Sequence, residues 1–217
     1  MKNPIKMKKP SLFILFSLLA FNVTAQQDPE AIKVLSEFSK RATSAPSVSI
    51  DFNLITDDSR SGDVSTLEGT VVLQGDRFKL ILPENSVWSD GKNVWSYLPD
   101  INEVTITEND PDDDSFMSKP SLLFTMYKEG YKVRLIEQTP KEWVIDLYPE
   151  DISGEMIRMR LKIGKTDYSL KSAEYKTKEG ITVTLDSQKY DITFKPGVDF
   201  FTFRPADHKG IEVIDMR

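Results

Sequence analysis

Ser47-Val48-Ser49-Ile50-Asp51-Phe52-Asn53-Leu54 is the stretch that decides the fold. Val48, Ile50, Phe52 and Leu54 alternate with serine, aspartate and asparagine, so an extended chain has one oily side and one wet side. That is the pattern of a half-buried strand. The period of two recurs through the rest of the chain. Leu67, Val71 and Leu73 mark the next strand, with Gly69 expected as a bend or bulge. A Gly75-Asp76 turn leads to Phe78, Leu80 and Leu82. Val87-Trp88 runs into Asp90-Gly91, a tight-hairpin signal, and Trp95 and Tyr97 return before Val104 and Ile106. Further strands are expected near 131–135, 143–147, 157–163, 169–176, 182–188 and 190–194, with a last extended piece at 201–204. The total is about ten strands, separated by short turns.

Against that background one long helix stands out, over residues 29–42. Ala31, Ile32, Leu35, Phe38 and Ala42 recur at helical spacing, opposite Lys33, Glu37 and Lys40. Asp28 is the expected N-cap, Pro29 suits the first helical position, and Pro46 ends the segment. Residues 120–127 gather Leu122, Leu123, Phe124, Met126 and Tyr127 behind Pro120, too apolar for a free loop and suited to a short helix. The stretch before it, 109–119, reads as an acidic loop. Strands twist against one another, so a sheet this large curls and acquires a concave face. The helix and segment 120–127 are the two elements left to cover it. The fold expected is mainly β, a single curled antiparallel sheet whose hollow stays partly vacant and oily.

The ends and the charge bound the setting. Lys2, Lys6, Lys8 and Lys9 precede an apolar run over 12–23, which closes on Val23-Thr24-Ala25. A basic start, a short apolar core and a small-residue exit describe a secretory signal peptide, cut after Ala25. A membrane span needs roughly twenty apolar residues, more than this run supplies. Residues 1–25 are therefore expected as the signal and 26–217 as the mature domain. The chain has no cysteine, so neither a lipid anchor at the cut nor a disulfide is available. The net charge is −6, and removing four lysines takes the mature chain to −6 − 4 = −10. That overall balance argues against nucleic acid and anionic bilayers as partners, since both select basic patches.

Catalytic chemistry finds little footing. His208 is the lone histidine and lies in a polar C-terminal stretch. A serine nucleophile would depend on it alone, and no Gly-x-Ser-x-Gly elbow is present. Zinc needs several Cys or His ligands. Asp110, Asp112, Asp113 and Asp114 raise calcium, but the glycine and ligand spacing of an EF-hand loop are missing. The chain also lacks a phosphate loop and a dinucleotide fingerprint. No enzyme, cofactor or metal is expected.

Several motifs recur together in order and spacing. They are Leu35-Ser36-Glu37-Phe38 at the helix end, and Gly69-Thr70-Val71-Val72-Leu73 leading to Arg77-Phe78-Lys79-Leu80. Val87-Trp88-Ser89-Asp90-Gly91-Lys92-Asn93-Val94-Trp95-Ser96-Tyr97 follows, then Asn102-Glu103-Val104 and Pro120-Ser121-Leu122-Leu123. Phe194-Lys195-Pro196-Gly197 and Phe201-Thr202-Phe203 complete the set. Across nearly all of the mature chain, they resemble a divergent branch of the LolA family of periplasmic outer-membrane lipoprotein carriers. The resemblance implies an unclosed β barrel with helices over its mouth. It also implies a chaperone that shields lipoprotein acyl chains between the membranes. An inner-membrane lipoprotein-releasing ABC transporter would load it and an outer-membrane acceptor would unload it. In this family an Arg-Pro pair lies between the glycine strand and the following phenylalanine, and its arginine bonds to lid backbone. Here that place reads Gln74-Gly75-Asp76-Arg77, without proline.

Combined with the strand pattern, this gives a cavity lining of Phe52, Leu54, Val71, Leu73, Phe78, Leu80, Trp88 and Trp95. Leu122, Leu123, Phe124 and Met126 are expected as a movable cover, methionine being suited to changing contacts. A monomer is expected. Carriage of another lipid, such as a glycolipid or pigment ester, and lipoprotein sensing are the alternative functions.

Overall fold

The structure is a computed structural model that describes residues 27–110 and 118–217. The expected signal segment, and Asp112, Asp113 and Asp114 of the acidic loop, lie outside the described residues. Helix α1 spans Pro29–Ser44. The Asp28 side chain caps it, Pro29 opens it, and Ala45 leaves it in an extended conformation ahead of Pro46. Its buried face is Ala31, Val34, Leu35, Phe38 and Ala42, a stripe of period 3.6 that needs a hydrophobic partner.

The sheet provides that partner. Its strands are β1 (Val48–Asp58), β2 (Asp63–Gln74), β3 (Arg77–Ile81), β4 (Ser86–Ser89), β5 (Asn93–Leu98) and β6 (Glu103–Glu108). After two 3-10 turns, Pro120–Phe124 and Met126–Lys128, come β7 (Tyr131–Gln138), β8 (Glu142–Pro149), β9 (Met156–Gly164), β10 (Leu170–Thr177), β11 (Ile181–Asp191) and β12 (Glu212–Asp215). All twelve belong to one sheet, in the order β12-β6-β5-β4-β3-β2-β1-β11-β10-β9-β8-β7. Neighbours are antiparallel except β12, which runs parallel to β6. The sheet is an unclosed barrel with two different edges, and α1 and the 3-10 turns lie over its concave side.

Three details differ from the sequence reading. Gly69 is not a bulge. It stands in unbroken register opposite Phe52, and a Cβ built on it would lie 2.7 Å from both the Phe52 ring and Leu82. The irregularity is instead in the β1–β11 pairing, between Asp51 and Phe52, and the segments expected as two strands at 182–188 and 190–194 are one strand. Residues 201–204 are not extended in the sheet. They belong to a strap that leaves β11, crosses the convex face and ends as β12.

Candidate functional site: an apolar hollow and its cover

The register fixes which side chains share the concave face. Ile50 pairs with Val71, which pairs with Leu80, which pairs with Val87. Val48, Leu73 and Phe78 form the next row. On the far half of the sheet Val133, Ile145, Leu147, Met159, Leu161 and Ile163 present the same face. These side chains, the α1 stripe and the 3-10 turns merge into one buried cluster.

The cover is a poor helix held by good packing. Neither 3-10 turn has a side-chain cap, and 3-10 hydrogen bonds are weakly aligned. Leu123, Phe124, Met126 and Tyr127 are nevertheless buried in the cluster. The Phe124 ring meets Phe38 of α1 edge to face, with centroids 5.4 Å apart. Gly130, at φ +77°, lets the chain turn from the cover into β7. Of the four residues expected in the cover, Leu123, Phe124 and Met126 point inward, while Leu122 stays half-buried outside the cluster.

Beneath α1 and the cover the hollow is filled by the protein's own side chains, so the expectation of a standing vacancy there is not met. Leu35, Ile50, Ile145, Leu147 and Leu161 are at most 1 % exposed. Half-buried apolar residues continue the lining beyond the covered part, among them Leu54, Leu80, Leu82, Val87, Tyr175 and Leu185. Beside them, where β3 ends at Ile81 while β2 runs on to Asp63, a cleft of about 610 Å³ opens against Phe52, Gly69, Leu82 and Pro83. The rest of its wall is Ile81 and polar side chains from Asp51, Asn53, Glu68, Thr70 and Gln188.

Six of the eight expected lining residues share this hollow: Phe52, Leu54, Val71, Leu73, Phe78 and Leu80. Trp88 and Trp95 do not. Trp88 pairs with Lys79 on one side and Trp95 on the other, one residue out of phase with the Leu80–Val87 pair. Both indoles therefore lie on the convex face, in a second cluster with Val104, Ile106 and Phe203. The strap from β11 builds it: Phe203 packs on Trp88 at 5.0 Å and on Tyr97 at 5.4 Å, and His208 stacks on Phe203 at 4.7 Å. Lys79 lies over the rings of Trp88 and Phe200, and burial pulls its ammonium below the usual lysine range. The expected lining left out Val48 and Ile50 of β1, the far-half residues Val133, Ile145 and Leu147, and, beside the tryptophans, Val87 and Leu82. The signal for the last two was parity with Phe78 and Leu80 across the turn, outweighed there by the size of the tryptophans.

Residues 21–181 match the family model described as outer membrane lipoprotein carrier protein LolA. The chain belongs to the LolA family. An outer-membrane lipoprotein carrier protein of Vibrio parahaemolyticus is 28 % identical, with 97 % of this chain and all of that protein aligned. An uncharacterized conserved protein from Thermus thermophilus has the same fold at 14 % identity and a TM-score of 0.55, covering 86 % of this chain and 99 % of the other. A putative outer membrane lipoprotein-sorting protein domain from Vibrio parahaemolyticus aligns at 13 % identity with a TM-score of 0.44, over 80 % of this chain and 96 % of its own. The LolA family is non-enzymatic, and membership makes this chain a lipid- or lipoprotein-binding carrier.

Arg77 lies on the convex side of β3, donates to Gln74 Oε1 at 2.5 Å, and its guanidinium sits 5.3 Å from the Phe201 ring of the strap. It contacts the strap, while Phe124 and Leu123 are buried in the cluster beneath the cover.

Proposed function

We propose that this protein is a periplasmic carrier that takes up the acyl chains of lipoproteins in its concave face and moves them from the inner to the outer membrane. Its partners would be a lipoprotein-releasing ABC transporter on the donor side and an outer-membrane acceptor on the other. The observation that carries this reading is the cover: Leu123, Phe124 and Met126 fill an apolar hollow while tied to it by uncapped 3-10 turns. An acyl chain that replaces these side chains keeps the hollow's lining out of water, and its own burial offsets what the displaced side chains lose. Release into water is another matter. At about 0.8 kcal/mol per methylene, a chain of roughly fifteen methylenes resists leaving by about 12 kcal/mol. Delivery therefore needs an acceptor with a competing apolar site.

Family membership supports the carrier reading, and the basic, apolar and small-residue order of the first 25 residues supports export. The test is mass spectrometry of the protein purified from its native host, together with uptake of a fluorescent fatty acid by the purified chain. Acylated peptide bound to the wild type, and uptake weakened by Leu123→Asn, are the results expected. A lipid-free protein that takes up no fatty acid would end the proposal, and a bound glycolipid or pigment ester would change the cargo.

A further inference from the structure

The net charge of the chain hides a basic field on the convex face of β7, β8, β9 and β10. Val133 and Leu135 point into the hollow, so Lys132 and Arg134 point out. Across the sheet Arg134 pairs with Asp146, Asp146 with Arg160, and Arg160 with Glu174. Lys132 pairs with Tyr148, Arg158 with Lys176, and Lys162 with Val144 and Ser172. Six cations thus share this face with Asp146 and Glu174 at its centre and with Glu137 and Glu142 near the β7–β8 turn. The first two acids hold the centre in place: Arg160 donates to both oxygens of Asp146 at 2.6 and 2.8 Å, and Arg158 pairs with Glu174. Lys132, Arg134 and Lys162 stand exposed around them.

We propose that this face docks on an anionic lipid surface, through the phosphate headgroups of a bilayer. Four strands and the span from Arg158 to Lys162 make a field about 14 Å by 14 Å. It is a broad array, suited to many phosphates in a plane rather than to one compact anion. The N-terminal segment covers the edge of β7 through Leu135 and the other three strands have both neighbours, so an acidic peptide finds little open strand there to pair with. Tyr148 is 37 % exposed among the cations, with its hydroxyl donating to Asp146, an amphipathic ring of the kind that rests at headgroup level. The acidic remainder of the chain turns the basic face toward a negative surface and keeps attachment weak enough to reverse.

The test is sedimentation of the mature chain with vesicles of equal phosphatidylglycerol and phosphatidylcholine, against pure phosphatidylcholine. The wild type should bind the mixed vesicles, lose them at high salt, and ignore the pure ones. Lys132→Glu with Lys162→Glu should lower partitioning more than tenfold, and Lys132→Gln with Lys162→Gln by less. Lys33→Glu with Lys40→Glu, on the exposed side of α1, should change it little. Equal binding by the wild type and the reversed pair would overturn the proposal. So would absence of binding to the mixed vesicles, including the case in which the protein binds polyglutamate instead. Fatty-acid uptake by the reversed pair should match the wild type, which keeps this result separate from the cargo proposal.

Discussion

The Asp28 carboxylate joins the start of α1 to Leu135 on the edge strand β7. One oxygen accepts from the Glu30 and Ala31 N–H groups at 3.1 and 3.2 Å, and the other accepts from the Leu135 N–H at 3.2 Å. Beside it the Gln27 side chain donates to Tyr131 O at 2.7 Å and accepts from the Val133 N–H at 2.8 Å. Two side chains thereby satisfy backbone groups that an edge strand would otherwise offer to another chain.

Asp28→Ala removes the cap and the edge contact together. The cap alone is worth about 1 kcal/mol, and melting at neutral pH should show at least that loss. Burial pushes the Asp28 carboxyl up, but the N–H groups of Ala31, Leu135 and Glu30 outweigh it and hold the group below its usual range. A depressed carboxylate contributes fully above its unfolded value of about 3.9, and the contribution fades as pH falls through the lower folded value. The gap between wild type and variant should therefore be constant from neutral pH down to about 5 and narrow below about 4. An unchanged gap in acid would show that the charge is not involved.

Gly69 of β2 lies against the side chains of Phe52 in β1 and Leu82 just past β3. Gly69→Ala places a methyl 2.7 Å from Leu82 and Phe52, so one of them must move. Overpacking of this kind costs about 1–3 kcal/mol. Adding Phe52→Leu should recover much of the loss, as a double-mutant cycle by denaturant melting would read. Strict additivity would mean that the clash is relieved elsewhere.

Phe203→Ala separates the two apolar clusters. It empties the centre of the convex cluster and should cost about 3–5 kcal/mol, with a red shift and gain of exposure in the fluorescence of Trp88 and Trp95. Fatty-acid uptake at a temperature where the variant is folded should match the wild type. Loss of uptake without unfolding would restore the tryptophans to the lining.

Much of the sheet was legible because alternation and turn residues agree. β1 alternates over its whole first half, and Gly75, at φ +57°, makes the two-residue turn that sets the β2–β3 register. The parity of β4 was not legible in the same way. Val87 and Trp88 are adjacent apolar residues, and only pairing with Leu80 and Lys79 decides which one faces inward. β12 was hidden because Glu212-Val213-Ile214-Asp215 is short, and its parallel partner β6 lies more than a hundred residues away. The basic field was hidden for a related reason. Lys132 is on β7 and Arg158 and Lys162 on β9, with the acidic stretch 150–155 between them in the chain, and a sum over the sequence cancels what the pairing concentrates.

In the proposed carriage ligand replaces the cover, so the contact between Phe38 and Phe124 must open. The chain has no cysteine, which makes a pair introduced by Phe38→Cys and Phe124→Cys the sole thiols. A short bis-methanethiosulfonate reagent, which bridges them through two disulfides with release of sulfinate, should abolish uptake of a fluorescent fatty acid, and reduction should restore it. Full uptake by the bridged protein would contradict the account.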